Sequence, residues 1–147
     1  MYIRFFPIIT ILFLSACSFK TEKIDTGTNS LNILNLKIKE GITNKSTIIE
    51  NLGPPSIKNP FNKNIMYYVS QKMRKEIGRE NQFEKIIILE LHFNKNNTVK
   101  SYNLVNRENI DSFELNDLED SQGFQDRKGF KVLKNILDNM RRKSKID

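Results

Sequence analysis

The sequence predicts an α+β fold with two short N-terminal helices, a three-stranded antiparallel sheet and a C-terminal amphipathic helix. Apolar residues alternate along three stretches between Ile65 and Asn106, which is the pattern of half-buried strands. Apolar residues also recur at helical spacing before and after these stretches. The only cysteine, Cys17, excludes an internal disulfide. The fold is therefore expected to be stabilised by packing alone.

The first seventeen residues have the pattern of an export signal. Arg4 precedes an apolar run from Phe5 to Leu14, which is followed by Leu14-Ser15-Ala16-Cys17. The run is too short to cross a bilayer as a helix, which takes roughly 20 residues. A Leu-small-small-Cys sequence resembles the lipobox of bacterial lipoproteins, which are cleaved before a cysteine that carries fatty acids. We expect residues 1–16 to be a signal peptide and Cys17 to be lipidated; the alternative is an ordinary signal peptide that happens to end at Cys17.

The segment after the cysteine indicates where the protein resides. Ser18 follows Cys17, and by resemblance to enterobacterial sorting rules this favours the outer membrane, with the chain anchored on its periplasmic face. Residues 17–30 are polar and are predicted to form a flexible tether.

Two short helices are predicted next, at the start of an α+β domain that spans residues 31–106. The first is indicated by a dense apolar run: Leu31, Ile33, Leu34, Leu36 and Ile38. In the second, Thr43 or Asn44 is expected to cap the start with its side-chain oxygen. Gly53, followed by two prolines, is expected to end it.

Three strands are predicted over Ile65–Gln71, Ile86–Asn94 and Thr98–Asn106, and the last two form a hairpin. A charged loop, Lys72–Glu84, is expected between the first two strands. An acidic connector over residues 107–125 leads to a helix over 126–147. The apolar stripe of that helix is too long to leave in water, so we expect it to pack on the sheet or on a neighbouring protein. Its members are Phe130, Leu133, Ile136, Leu137 and Met140.

The chemistry of the chain favours binding over catalysis. The formal net charge is +7, but an exported protein does not meet nucleic acid, so anionic lipid head groups or an acidic protein are the expected partners. His92 is the only histidine and has no cysteine near it in the sequence, so no zinc site of a usual kind can form. The sequence contains no glycine-rich phosphate loop. We expect no catalytic residue, metal or cofactor, and a structural role for His92.

Several motifs in order resemble one family. They are Gly41-Ile42-Thr43, Leu52-Gly53-Pro54-Pro55, Asn59-Pro60-Phe61, Asn64 and Tyr67-Tyr68-Val69-Ser70-Gln71, placed ahead of a hairpin and behind a lipobox. Together they resemble BamE, also called the SmpA/OmlA family, over about residues 36–105, and in particular a longer branch with a C-terminal extension. The resemblance implies two helices packed on one face of a three-stranded sheet.

The resemblance also implies a function. BamE proteins are non-enzymatic accessory lipoproteins of the complex that inserts β-barrels into the outer membrane, and their partners are BamD, BamA and anionic phospholipid, phosphatidylglycerol in particular. Carried over by position, the binding residues are Pro60, Phe61, Asn64 and Tyr68; core packing is the alternative role for Phe61 and Tyr68. The sequence departs from the family where Met66 replaces a common tryptophan and Gln71 replaces the lipid-contacting arginine of some members, a contact that Lys72 would have to supply.

Two other functions are compatible with the sequence. Similar helix-and-sheet units recur in β-lactamase inhibitor proteins, so a periplasmic inhibitor or an envelope-stress binding lipoprotein is an alternative. It requires an exposed, continuous and aromatic-rich sheet face. An unrecognised hydrolase requires a polar partner within hydrogen-bond reach of His92.

Overall fold

The computed structural model describes residues 22–75, 82–110 and 127–142. The signal peptide, Cys17, most of the acidic connector and the last residues of the predicted C-terminal helix lie outside these ranges. The elements in chain order are β1 (Glu22–Gly27), α1 (Ser30–Asn35), α2 (Lys45–Leu52), β2 (Ile57–Lys58), β3 (Ile65–Lys75), β4 (Gln82–Phe93), β5 (Val99–Ile110) and α3 (Arg127–Arg142). The predicted α+β class, antiparallel sheet and C-terminal helix are confirmed.

The sheet has five strands, not the three predicted, in the order β1-β3-β4-β5, with β2 beside β1 on the same edge of β3. All pairings are antiparallel. Both ends of the predicted loop Lys72–Glu84 are strand, because β3 runs to Lys75 and β4 begins at Gln82. Charged residues continue the strands here because they pair across them: a carboxylate oxygen of Glu84 lies 3.2 Å from the Lys23 amine and 3.3 Å from the Arg74 guanidinium. The hydrogen bond from Lys23 lowers the pKa of Glu84.

The structure differs from the predicted tether over residues 17–30. From Glu22 onward this segment forms β1 and then the start of α1. β1 is an edge strand with mostly exposed side chains, so it needs no apolar pattern. At its end Gly27 has φ 92°, and a Cβ there would lie 2.1 Å from the Val69 carbonyl oxygen. Only glycine therefore allows this close approach to β3.

The two short helices form as predicted, with one difference in capping. Asn44 is the N-cap of α2, but its side chain makes no capping hydrogen bond. Asn44 instead forms an isolated bridge with Thr98, and the Thr43 hydroxyl accepts a 2.8 Å hydrogen bond from the Lys39 N–H. Gly53 ends α2 with φ 78° and donates its N–H to the Ile49 carbonyl at 2.8 Å. The start of α2 is thus held by the hairpin loop.

The central strands β3 and β4 are buried on both faces. On one side, the α1/α2 face, side chains of the short helices pack on alternate strand residues: Ile33, Ile48 and Leu52 on Met66, Tyr68, Ile87, Leu89 and Leu91. On the other, the α3 face, the C-terminal helix packs on the intervening residues: Phe130, Leu133 and Leu137 on Tyr67, Val69, Met73, Ile86, Ile88 and Val105. The C-terminal helix therefore packs on the sheet, which is one of the two outcomes expected of its apolar stripe. None of the described helices is long and apolar enough to cross a membrane.

The packing of α3 on the sheet can be tested at Leu133, whose side chain is fully buried. We expect Leu133→Ala to lower the free energy of unfolding by about 2–5 kcal/mol, because it removes apolar contact and leaves a cavity. Urea unfolding measures this, and Asn135→Ala, on the exposed side of the same helix, is the matched control. Equal stabilities of the two variants would contradict the packing of α3 on the sheet.

Candidate functional site

The turn that leads into β3 is held rigid by a buried asparagine. Asn59 is 3% exposed, and its side-chain oxygen accepts hydrogen bonds from the N–H groups of Phe61 at 2.8 Å and Asn62 at 3.2 Å. The Asn62 side-chain oxygen in turn accepts from the Asn64 N–H at 2.9 Å. Asparagine favours such turns because its side chain can satisfy local backbone donors. The turn therefore presents its outer residues in a fixed arrangement.

The predicted binding residues fall into two groups. Pro60, Phe61 and Asn64 are exposed on this turn, and the ring of Phe61 is 67% exposed. Phe61 is thus not a core residue. Tyr68 is 0% exposed, and its hydroxyl donates a 2.9 Å hydrogen bond to the Gly53 carbonyl oxygen. Tyr68 therefore packs in the core, the alternative role expected for it, and positions the end of α2.

A cleft of about 730 Å³ lies beside the turn. Its apolar lining comes from the end of α2, the segment after it and the start of β3: Ile49, Pro54, Pro55, Pro60 and Met66. Met66 is 5% exposed, so its side chain contributes to the cleft mainly as a wall packed on the core. The exposed apolar surface of the cleft belongs mainly to Ile49 and the prolines.

Three lysines surround this cleft. Lys45, Lys58 and Lys63 line it together with Asn59, and no carboxylate from the described part of the chain is among its lining residues. The Lys45 amine lies 5.3 Å from the centroid of the Phe93 ring, a cation–π contact that fixes one of the three charges. The arrangement can bind an anionic group next to an apolar segment. We call the exposed turn and this cleft together the Phe61 site.

The sequence analysis did not identify the lysines or Asn59 as members of the site. The lysines come from α2, β2 and the turn, and nothing in their spacing brings them together. The role of Asn59 could have been predicted from the sequence, since an asparagine two residues before Phe61 can accept a hydrogen bond from the Phe61 N–H with its side chain.

A second polar cluster lies on the α3 face of the sheet. Glu90 is 0% exposed, and one carboxylate oxygen lies 2.9 Å from His92 Nε2 and accepts a 3.3 Å hydrogen bond from the Tyr67 hydroxyl. A carboxylate therefore lies within reach of His92, as the hydrolase hypothesis requires, but His92 Nε2 makes no hydrogen bond to it. Ser101 stands opposite His92, and its buried hydroxyl also makes no hydrogen bond, so no nucleophile among the described residues is bonded to the histidine. The cluster is a buried carboxylate between Tyr67 and the partly exposed His92.

The described ranges contain no group of three or more histidine, cysteine or acidic side chains that could hold a metal ion.

These features define a small α+β domain with an exposed aromatic turn, ordered by Asn59, beside a basic, apolar cleft. Comparison with known families agrees with this class: residues 34–103 match the model of the outer membrane protein assembly factor BamE domain. The chain therefore contains a segment similar to the BamE domain, and the resemblance in its motifs is confirmed. No curated protein and no solved structure matches the chain at a significant level. The match ends within β5, so α3 lies outside the domain that the family model defines.

The link between Tyr68 and Gly53 predicts a specific loss of stability. Tyr68→Phe removes the hydrogen bond to the Gly53 carbonyl and should lower the free energy of unfolding by about 1 kcal/mol. Urea unfolding measures the change, and Tyr102→Phe, at a ring that is 44% exposed, is the control. No difference between the two variants would argue against the link.

Burial raises the pKa of the Tyr68 hydroxyl above its ordinary value. The folded state therefore favours the neutral hydroxyl, whose contribution to stability is complete below the unfolded pKa of about 10 and is lost as the pH rises through the folded value. The stability advantage of the natural protein over Tyr68→Phe should therefore shrink at alkaline pH.

Proposed function

We propose that this protein is a non-enzymatic accessory lipoprotein of the outer-membrane β-barrel assembly complex, anchored through Cys17 on the periplasmic face of the outer membrane. Its BamE domain implies involvement in outer membrane protein assembly. The lipobox-like Leu14-Ser15-Ala16-Cys17 supports the anchor, and the Phe61 site supports a role in binding. The inhibitor alternative loses support because the central strands are covered on both faces.

The exposed Phe61 ring is the observation that most favours a protein partner. An aromatic side chain that is 67% exposed leaves apolar surface in water, and its backbone is already ordered by Asn59. Binding a partner would bury the ring without the entropic cost of ordering the turn. Aromatic residues of this kind are enriched among the residues that contribute most to interfaces. We propose BamD and BamA as the partners.

The three lysines favour an anionic lipid as a second ligand. Their amines surround apolar surface, which corresponds to the head group and glycerol region of phosphatidylglycerol. Gln71, at the family's arginine position, cannot replace that arginine, because its side chain is 5% exposed and donates a 2.9 Å hydrogen bond to the Thr26 hydroxyl. In this chain we propose that Lys58 and Lys63 provide the positive charge.

Recovery of partners from solubilised membranes tests the protein-binding role. The natural chain should recover BamA and BamD in mild detergent, and Phe61→Ala should reduce recovery about tenfold or more, as expected for a central aromatic contact. The matched control is Leu31→Ala, which truncates an apolar side chain of similar exposure, 65% against 67%, on α1. Repeated absence of both proteins with the natural chain would refute the proposal.

Vesicle binding tests the lipid ligand. Lys58→Gln with Lys63→Gln should weaken binding to phosphatidylglycerol vesicles about thirtyfold, since each lysine near an anionic surface contributes about 1 kcal/mol. Binding to phosphatidylcholine vesicles should not change. Lys128→Gln with Lys131→Gln, which removes two exposed charges on α3, is the matched control. An equal loss of binding in this control would mean that only the net charge of the protein matters.

Labelling with a radioactive fatty acid tests the anchor. The natural chain should incorporate label, whereas Cys17→Ala should not and should remain uncleaved or mislocalised. The stability of the folded domain should be the same in both, since Cys17 precedes the first described strand, at Glu22. Label in the variant, or its absence from the natural chain, would instead support an ordinary signal peptide.

A further inference from the structure

β5 forms one edge of the sheet, and the hydrogen bonds of β4 determine which β5 backbone groups face outward. The Phe93 N–H donates to the Asn64 carbonyl, on the β3 side, at 2.8 Å. Because backbone directions alternate along a strand, the four residues of β4 that face β5 are Ile86, Ile88, Glu90 and His92. Their partners in register are Arg107, Val105, Asn103 and Ser101. The backbone groups that face away from the sheet are therefore those of Tyr102, Leu104, Asn106 and Glu108.

The part of β5 before Tyr102 is not available for further pairing. The Gly41 N–H donates to the Val99 carbonyl at 2.7 Å, and the Val99 N–H donates to the Thr43 carbonyl at 2.9 Å. The ladder with β4 has a bulge between Val99 and Ser101. We call the outward-facing backbone beyond this bulge, from Tyr102 to Glu108, the β5 edge. Among the described residues, none of the hydrogen bonds outside the sheet ladders involves the backbone of this edge.

The side chains beside the β5 edge differ between the two faces of the sheet. On the α1/α2 face, Tyr102 and Leu104 are 44% and 39% exposed, and their partners on β4 belong to the core of that face. On the α3 face, Asn103 and Arg107 are polar, and Val105 between them is buried. A strand added at this edge would therefore need apolar side chains on one face and polar side chains on the other.

The β5 edge lacks the features by which proteins usually prevent strand addition. From Tyr102 to Glu108 it contains no proline, and its pairing with β4 is regular. Regular edges with exposed apolar side chains pair readily with another strand. The opposite edge of the sheet differs, because β1 has only six residues and carries Lys23 and Asp25.

We propose that an extended segment of an unfolded outer-membrane β-barrel protein pairs with the β5 edge as an antiparallel strand. The strands of such barrels alternate apolar and polar side chains, which is the pattern that the two faces beside the edge require. The antiparallel direction is that of every pairing in the sheet and of the bridge between Asn44 and Thr98. The identity of the segment rests on the proposed function in outer-membrane protein assembly.

A second copy of this chain fits the β5 edge less well. The two-fold register that covers the whole edge places Leu104 opposite Asn106 and Tyr102 opposite Glu108. Each exposed apolar side chain would then meet a polar one, without the gain that a matched apolar pair provides. A barrel strand can instead place an apolar side chain opposite both Tyr102 and Leu104.

The proposed pairing determines which backbone groups of the bound segment are needed. In an antiparallel ladder, two residues that exchange N–H···O bonds have their side chains on the same face of the sheet. The N–H groups that bond to Tyr102 and Leu104 must therefore belong to the apolar residues of the added strand. The N–H groups of its polar residues face away from β5.

Peptides with methylated backbone nitrogens test this pairing. The probe is a fluorescent peptide of about ten residues, the length of a barrel strand, in which leucine and threonine alternate, and anisotropy measures its binding to the full chain in mild detergent. Methyl groups on the leucine nitrogens should weaken binding about tenfold or more, because several hydrogen bonds are lost. Methyl groups on the threonine nitrogens are the matched control and should leave the affinity within about twofold of that of the unmethylated peptide, since those nitrogens make no bond to β5.

Hydrogen exchange in the natural chain locates the bound peptide without any substitution. The peptide should slow exchange of the outward-facing amides of Tyr102, Leu104 and Asn106. The amide of Asp25 should be unaffected, because it faces outward on β1, at the opposite edge: the Thr28 N–H donates to β3, and backbone directions alternate along β1.

Proline variants test the edge from the side of the protein. Leu104→Pro removes an outward-facing N–H, so it should weaken peptide binding about tenfold or more and leave the β4–β5 ladder intact. Protection of the Val105 amide, which faces β4, verifies that the ladder has formed. Asp25→Pro, which removes an outward-facing N–H at the opposite edge, is the matched control and should bind the peptide as the natural chain does.

Three outcomes would overturn the proposal: no binding of the alternating peptide, equal affinities of the two methylated peptides, or equal affinities of the two proline variants. A natural chain that forms a dimer, loses it in Leu104→Pro and does not bind the peptide would assign the edge to a second copy. Recovery of BamA and BamD without peptide binding would reject this inference alone. Peptide binding without their recovery would reject the assembly role alone.

Discussion

The burial of β3 and β4 on both faces is the constraint on which the rest of this structure depends. Alternate residues of these strands point to opposite sides, and both sets are apolar through most of their length. Each face must therefore be covered, since neither set can remain in water without a large loss of stability. The chain meets this need with α1 and α2, which precede β3, and with α3, which follows β5. Glu90 is the exception within β4, and it is accommodated through Tyr67 and His92.

The same packing positions the Phe61 site. Tyr68 points into the α1/α2 face and reaches the Gly53 carbonyl, so a core side chain fixes the point at which α2 ends and the Pro54-Pro55 segment begins. The next segment, β2, pairs with Tyr67 and Met66 of β3, which places the turn around Asn59 at the start of β3. The walls of the cleft and the exposed ring of Phe61 are thus set by the core. A binding surface supported in this way costs little to order when a partner arrives.

Much of this fold was predictable from local patterns, and the misses have physical causes. The second helix was predictable because Gly53 and two prolines mark its end, and the three long strands were predictable because their apolar residues alternate. β1 was missed because an edge strand needs only backbone pairing with β3, and its polar sequence resembles a tether. The strand ends beyond Gln71 were missed because their charges pair across strands, a contact that sequence spacing does not reveal. At the candidate site, Pro60, Phe61, Asn64 and Tyr68 were all predicted by resemblance. The burial of Tyr68 was not predictable, because it depends on where α2 ends in the folded chain.

Local sequence patterns were sufficient to predict the class of the domain, its family motifs and the lipobox-like segment at Cys17, because these depend on periodicity and on short runs of neighbouring residues. The folded structure was needed to show that α3 covers the second face of the sheet and that three distant lysines surround one cleft. Those features depend on which residues a folded chain brings together across many positions, and packing, not local preference, controls that choice.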